Sequence, residues 1–150
     1  MTNKVFNTPF EFSLRVMLIL ACADEAKAVD EIAVLDFISV YGKAFGIAES
    51  NLHGDNEFKY GEFVARLNTI KQSVKSLAID RFINAVPSKN GLTYMIAEGG
   101  KSYINSLQCD YAAEYREVVK CALTHIGRKS MREVIAEINQ KAVAALRIGG

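Results

Sequence analysis

The sequence predicts a mainly α domain with one small β-hairpin, on three observations. In the stretch from Phe58 to Glu98, apolar side chains at Phe63, Leu67, Ile70, Val74 and Leu77 fall at steps of 4, 3, 4 and 3, which keeps them on one stripe of a 3.6-period helix. After that helix, Ile83 to Val86 and Leu92 to Ala97 are short β-prone runs, and Pro87-Ser88-Lys89-Asn90-Gly91 between them supplies turn chemistry, with Asn-Gly able to take positive φ. Further amphipathic stripes precede and follow this stretch. A helix running into a hairpin is the second half of a winged helix. The expected architecture is therefore a single winged helix-turn-helix-like domain, with a core over about residues 8–107 and two additional C-terminal helices over about 108–147.

Taken in order, Met1 to Thr8 is polar and reads as irregular. The first helix opens near Thr8-Pro9, with Thr8 as N-cap, Pro9 at the first helical position and Glu11 at the third, and it runs to about Ala23. Leu14, Met17, Leu18 and Ala21 form its main buried face, while Phe10, Val16, Ile19 and Leu20 leave little of the circumference polar, which makes the helix central. Only Arg15 clearly needs water or a partner. Asp30 is expected to cap a second helix, whose Ile32, Leu35, Ile38, Tyr41 and Phe45 repeat at helical spacing and which stops by Gly46. Ile47 to Glu57 is rich in turn formers; at about eleven residues it is longer than the three or four that join the helices of a compact helix-turn-helix. On the third helix, Arg66, Lys71, Gln72 and Lys75 are expected to face outward.

Beyond the hairpin, Gly99-Gly100 is expected to break the backbone before a helix that runs through Lys101 to Leu107 and continues, with room for a kink, through Tyr111, Tyr115, Val118, Ala122 and Ile126 to Gly127. Ser130 and Glu133 form an S-x-x-E capping box for the last helix, whose Met131, Val134, Ile135, Ile138, Ala142 and Leu146 make a hydrophobic face. Two helices of this kind either complete the core or offer a dimer face.

The composition fits a folded chain. With 150 residues, 50% of them hydrophobic and 23% charged, it can bury a core and is not disordered. A formal charge of +1 gives no global field for nucleic acid or an anionic membrane, so any such binding must come from a local patch. Cys22, Cys109 and Cys121 show neither C-x-x-C spacing nor a disulfide framework, and are expected to be reduced and mostly buried in a cytoplasmic protein. The oily run Val16 to Ala23 is bounded by Arg15 and Asp24, far short of the roughly 20 residues a membrane span needs. Glu11 before it and Asp24-Glu25 after it argue against a signal peptide.

No catalytic set emerges. His53 and Asp55 stand two apart in a loop, but His125 is remote and no Cys or Glu cluster completes a metal shell, so the pair reads as turn chemistry. The cysteines fall within hydrophobic periodicity and no G-x-S-x-G occurs. Gly99-Gly100-Lys101-Ser102 resembles the tail of a phosphate loop, yet Met95 stands where its first glycine belongs. Neither a cofactor nor a metal is expected. The remaining signal is basic: from Phe58 to Asn90, Lys59, Arg66, Lys71, Lys75, Arg81 and Lys89 face only Glu62 and Asp80. Lys59, Arg66, Lys71, Lys75 and Lys89 are accordingly the candidate nucleic-acid or partner contacts, against the plainer reading of a solvated helix face.

The segments FNTPFEFSLRVMLIL, LDFISVYGKAFGI, NLHGDN, FVARLNTIKQSVKSL and DYAAEYREV together resemble the small middle component of bacterial ABC-three component systems, relatives of the Lamassu defence group, over about Val5 to Leu146. The resemblance implies a non-enzymatic winged-helix adaptor, similar to the kleisin-interacting winged-helix subunits that accompany SMC-type ATPases. Such a component sits between an ABC or SMC-like ATPase that senses foreign DNA and an effector, often a nuclease. It brings no catalytic residues. The expected role is thus an adaptor in an anti-phage or anti-plasmid complex, with direct DNA contact weak and no membrane partner; the alternative is a winged-helix transcriptional regulator that dimerises through its C-terminal helices.

Overall fold

A computed structural model describes residues 8–48 and 63–149, which form a mainly helical, winged-helix-like domain of six α-helices and one antiparallel hairpin. The order is α1 (Pro9–Ala23), α2 (Val29–Val40), a 3-10 turn (Gly42–Phe45), α3 (Phe63–Ile79), β1 (Ile83–Ser88), β2 (Gly91–Ile96), α4 (Glu98–Ser106), α5 (Asp110–Ile126) and α6 (Met131–Gly149). Most of the expected loop from Ile47 to Glu57, with His53 and Asp55, lies outside the described residues, as do Lys59 and the whole segment before Thr8.

α1 and α2 are the centre. Leu14 and Val16 to Leu20 are buried in α1, and every residue from Ile32 to Val40 is buried in α2, so these stretches of the two helices are covered on all sides. α3 and α5 each pack against both of them, α4 and β2 rest on α1, and α6 touches α2. The α3 stripe forms as expected: Ile70, Val74 and Leu77 are in the core, with Phe63 and Leu67 half-buried against it. Phe10 departs from expectation and points outward, 58% exposed at the start of α1.

The chain ends of these helices follow local chemistry. Thr8 Oγ1 accepts from the Glu11 amide at 3.1 Å with Pro9 just inside α1, as predicted. Asp24 closes α1 in the left-handed region at φ 53°, a conformation that Asp tolerates better than most residues. Asp30 does not cap α2. The N-cap is Ala28, whose amide donates to Glu31 Oε1 at 2.9 Å, the half of a capping box that needs no side chain at the cap position. α3 ends in paired bonds from Arg81 N to Ala78 O at 3.2 Å and from Phe82 N to Leu77 O at 2.9 Å, which hold Arg81 at φ 67°.

The hairpin runs in register from Ile83 opposite Ile96 to Ser88 opposite Gly91, leaving Lys89-Asn90 as a two-residue loop. Positive φ falls on Gly91, at 119°, and Ser88 Oγ donates to the Gly91 carbonyl at 2.8 Å. Lys27 and Tyr94 exchange backbone hydrogen bonds at 2.9 Å, so the α1–α2 connection adds a one-residue bridge to β2.

Two further expectations are corrected. Gly99 and Gly100 lie inside the first turn of α4 instead of breaking the chain before it. A Cβ at Gly100 would run into the Phe82 carbonyl oxygen and the Ile96 side chain, so glycine is there to let α4 lie against the base of the hairpin. Between Lys101 and Gly127 there is a full break where a kink at most is expected: two helices are separated where Leu107 takes extended backbone at φ −77°, ψ 126°. Leu107 stays packed on the core across the break, and Arg116 Nη2 donates to the Ile104 carbonyl at 3.2 Å, satisfying an end of α4. Ser130 and Glu133 form the predicted reciprocal cap of α6, at 3.0 and 3.1 Å.

Candidate functional site

Four helices converge on one buried carboxylate. Asp36, on α2, is 1% exposed and accepts from Arg15 Nε of α1 at 2.7 Å, from Arg66 Nη2 of α3 at 2.8 Å and from the Tyr115 hydroxyl of α5 at 2.6 Å. Arg15 Nη1 also reaches the Tyr111 hydroxyl at 3.4 Å and stands 3.6 Å from Glu11 Oε1. The Phe12 ring lies under both guanidiniums, 4.4 Å from Arg15 Cζ and 5.4 Å from that of Arg66. Each cation therefore has a carboxylate oxygen ahead and an aromatic face beside it.

Burial by itself pushes the Asp36 carboxyl up, but Arg15, Arg66 and the Tyr115 hydrogen bond outweigh it and hold its pKa well below the usual carboxylate range. Burial, reinforced by the Asp36 charge, pushes Tyr115 far up, which fixes it as a donor. Glu11 is raised by burial despite Arg15 nearby. The cluster joins α1, α2, α3 and α5 at one buried carboxylate.

That cluster corrects the sequence reading of Arg66. It does not face outward as a nucleic-acid or partner contact; it is 5% exposed. It stands three residues after Phe63 and four before Ile70, on the core-facing stripe, and its long side chain threads between α1 and α2 to Asp36. Lys71, Gln72 and Lys75 do face solvent, and Lys89 is exposed at the hairpin tip. Lys59 is outside the described residues. The structure thus puts Lys71 and Lys75 on one helix face and Lys89 separately on the wing. The sequence reading does not single out Asp36, Tyr111 and Tyr115 as polar partners; the available signal is one acid, Asp36, inside the otherwise uncharged run from Ile32 to Val40.

Elsewhere, His125 Nε2 lies 3.0 and 3.1 Å from the two Glu137 oxygens and Lys129 Nζ is 3.6 Å from one of them, joining α5 to α6. A groove of about 280 Å³ between the α1–α2 connection and the α5–α6 turn has its charges engaged within the chain, Lys27 with Glu25 at 2.8 Å and Lys129 with Glu137. Cys109 and Cys121 are exposed and only Cys22 is half-buried, all three free, which corrects the expectation that they are mostly buried. Among the described residues no three His, Cys, Asp or Glu side chains group as a metal site, and no helix is long and apolar enough to cross a membrane.

Against known proteins, residues 5–147 match the family model described as ABC-three component (ABC-3C) system Middle Component 2. Neither the curated proteins nor the solved structures give a match.

Proposed function

The chain belongs to the Middle Component 2 family of ABC-three component systems, and on that premise we propose that it is a non-catalytic adaptor, linking the system's ATPase to its effector in defence against foreign DNA. The observation that supports this most is the buried pairing of Arg66 with Asp36. It withdraws one of the cations that a DNA-reading helix would present and uses it to set four helices rigidly against one another. What α3 leaves outside is mostly polar and only mildly cationic, with Ile79 bare at its end, which suits a protein interface better than a phosphate backbone. The test is reconstitution of the three components. A defined complex on size exclusion supports the adaptor; a chain that elutes alone in every combination refutes it.

The bridge between Lys27 and Tyr94, ahead of the helix pair and hairpin, favours a second reading as a winged-helix DNA reader. That reader would lose affinity steeply with added salt and would footprint a near-palindromic site, whereas the adaptor alone does neither.

A further inference from the structure

α3 has a second stripe, diametrically opposite the one it buries. Asn68, Gln72, Lys75 and Ile79 fall at steps of 4, 3 and 4, are all exposed, and run about 16 Å along the helix at 1.5 Å per residue. Ile79 is 73% exposed, the highest value among the exposed large hydrophobics of the described residues. Between Phe63 and Ile79 there is no Asp or Glu, and the one other cation of the helix, Arg66, is already neutralised inside. Lys71 and Lys75, one turn apart, line a single edge of this stripe.

We propose that this face receives an acidic amphipathic segment of another component of the system, its carboxylates lying along Lys71 and Lys75 and an apolar pocket closing over Ile79. The proposal rests on the adaptor reading and names the chemistry of one partner. Charge complementarity carries it, because a helix face to which α3 itself contributes no acid and two adjacent lysines attracts carboxylates and repels a cationic surface. Duplex DNA fits less well. Two free lysines fall short of the roughly 6–10 phosphate contacts of a salt-sensitive DNA binder, and a bare isoleucine gains nothing against phosphates, whereas apolar anchors with polar surrounds are the anatomy of protein interfaces.

The experiment uses the full-length chain reconstituted with its two companion components, with Gln72 replaced by photo-crosslinking p-benzoylphenylalanine and exposed Thr124 on α5 as the control position. Gln72 is expected to crosslink into a segment of a companion in which Asp and Glu outnumber Lys and Arg. Lys71→Glu with Lys75→Glu is expected to weaken the complex by about tenfold or more, with recovery when the crosslinked carboxylates are changed to Lys. Ile79→Ser should also weaken it, without changing the thermal midpoint of the isolated chain. Crosslinks into a second copy of the chain, into nucleic acid or into a segment without acidic excess overturn the proposal, as does unchanged affinity in the folded charge-reversed variant. A complex that forms with α3 silent in crosslinking overturns this proposal alone; failure to bind either companion overturns the adaptor reading with it.

Discussion

Arg66 and Asp36 meet at 2.8 Å across the boundary between α3 and α2, and the contact determines which side of α3 is left for other molecules. Asp36 also serves Arg15 and Tyr115, so it is the hub. Asp36→Asn keeps the shape but leaves two buried guanidiniums facing a neutral amide, and is expected to cost about 3–5 kcal/mol, the range for breaking a buried pair from one side. Arg66→Met should cost less, because Asp36 retains Arg15 and the methionine can fill the space. Urea unfolding of the two variants measures both; an Asp36→Asn loss below about 1 kcal/mol would contradict the hub assignment.

The two buried carboxyls make opposite contributions to pH dependence. Asp36 has a depressed folded pKa, so the unfolded chain binds its proton first as pH falls. Its stabilisation is complete above the unfolded value of about 3.9 and is lost as pH drops below it toward the folded value. Glu11 has a raised folded pKa, so its contribution is present below its unfolded value and is lost as pH climbs through the folded one. Urea midpoints across pH should therefore show the gap between wild type and Asp36→Asn constant from pH 5 to 8 and narrowing below pH 4. Glu11→Gln should remove the part of the wild-type loss that accompanies raising pH from 4 toward neutrality.

Neighbouring glycines of α4 should respond oppositely to a methyl group. At Gly99 a Cβ would meet only the Arg81 carbonyl oxygen, at an ordinary 3.6 Å, and alanine raises helix propensity, so Gly99→Ala should be neutral or stabilising by up to about 1 kcal/mol. At Gly100 the same atom collides with the Phe82 carbonyl and Ile96, and overpacking of this kind costs about 1–3 kcal/mol. Thermal unfolding of the two variants checks the contrast, and equal shifts would mean that α4 does not sit against the hairpin base.

Periodicity and end chemistry were legible in the sequence because they are local. The α3 stripe, the Thr8 and Ser130 caps and the hairpin each depend on residues within a few positions of one another. Arg15 could be recognised as needing a partner, because it interrupts an apolar helix, but Asp36 lies 21 residues away and only the packing of α1 on α2 unites them. Arg66 is misleading in the sequence because a basic residue reads as a surface one, although its spacing from Phe63 and Ile70 puts it on the buried side. The glycine pair misleads in the same way: local rules read it as a break, whereas a tertiary close approach requires Gly100 inside the helix.

Adjacent positions on α3 give the sharpest check of its orientation. Val74 is 1% exposed and packs in the core, while Lys75 beside it is exposed. Val74→Asp forces a carboxylate into apolar surroundings with no cation assigned to it, and the expected loss, above about 3 kcal/mol, is a large share of the roughly 5–15 kcal/mol that holds an ordinary domain folded. Lys75→Asp changes only a solvated charge and should stay within about 0.5 kcal/mol of wild type. Circular dichroism and urea unfolding of the pair give the answer: a Val74→Asp protein as stable as wild type, or a Lys75→Asp protein destabilised by more than Val74→Asp, would require α3 to be rotated about its axis. The proposed docking face would then turn away from solvent with it.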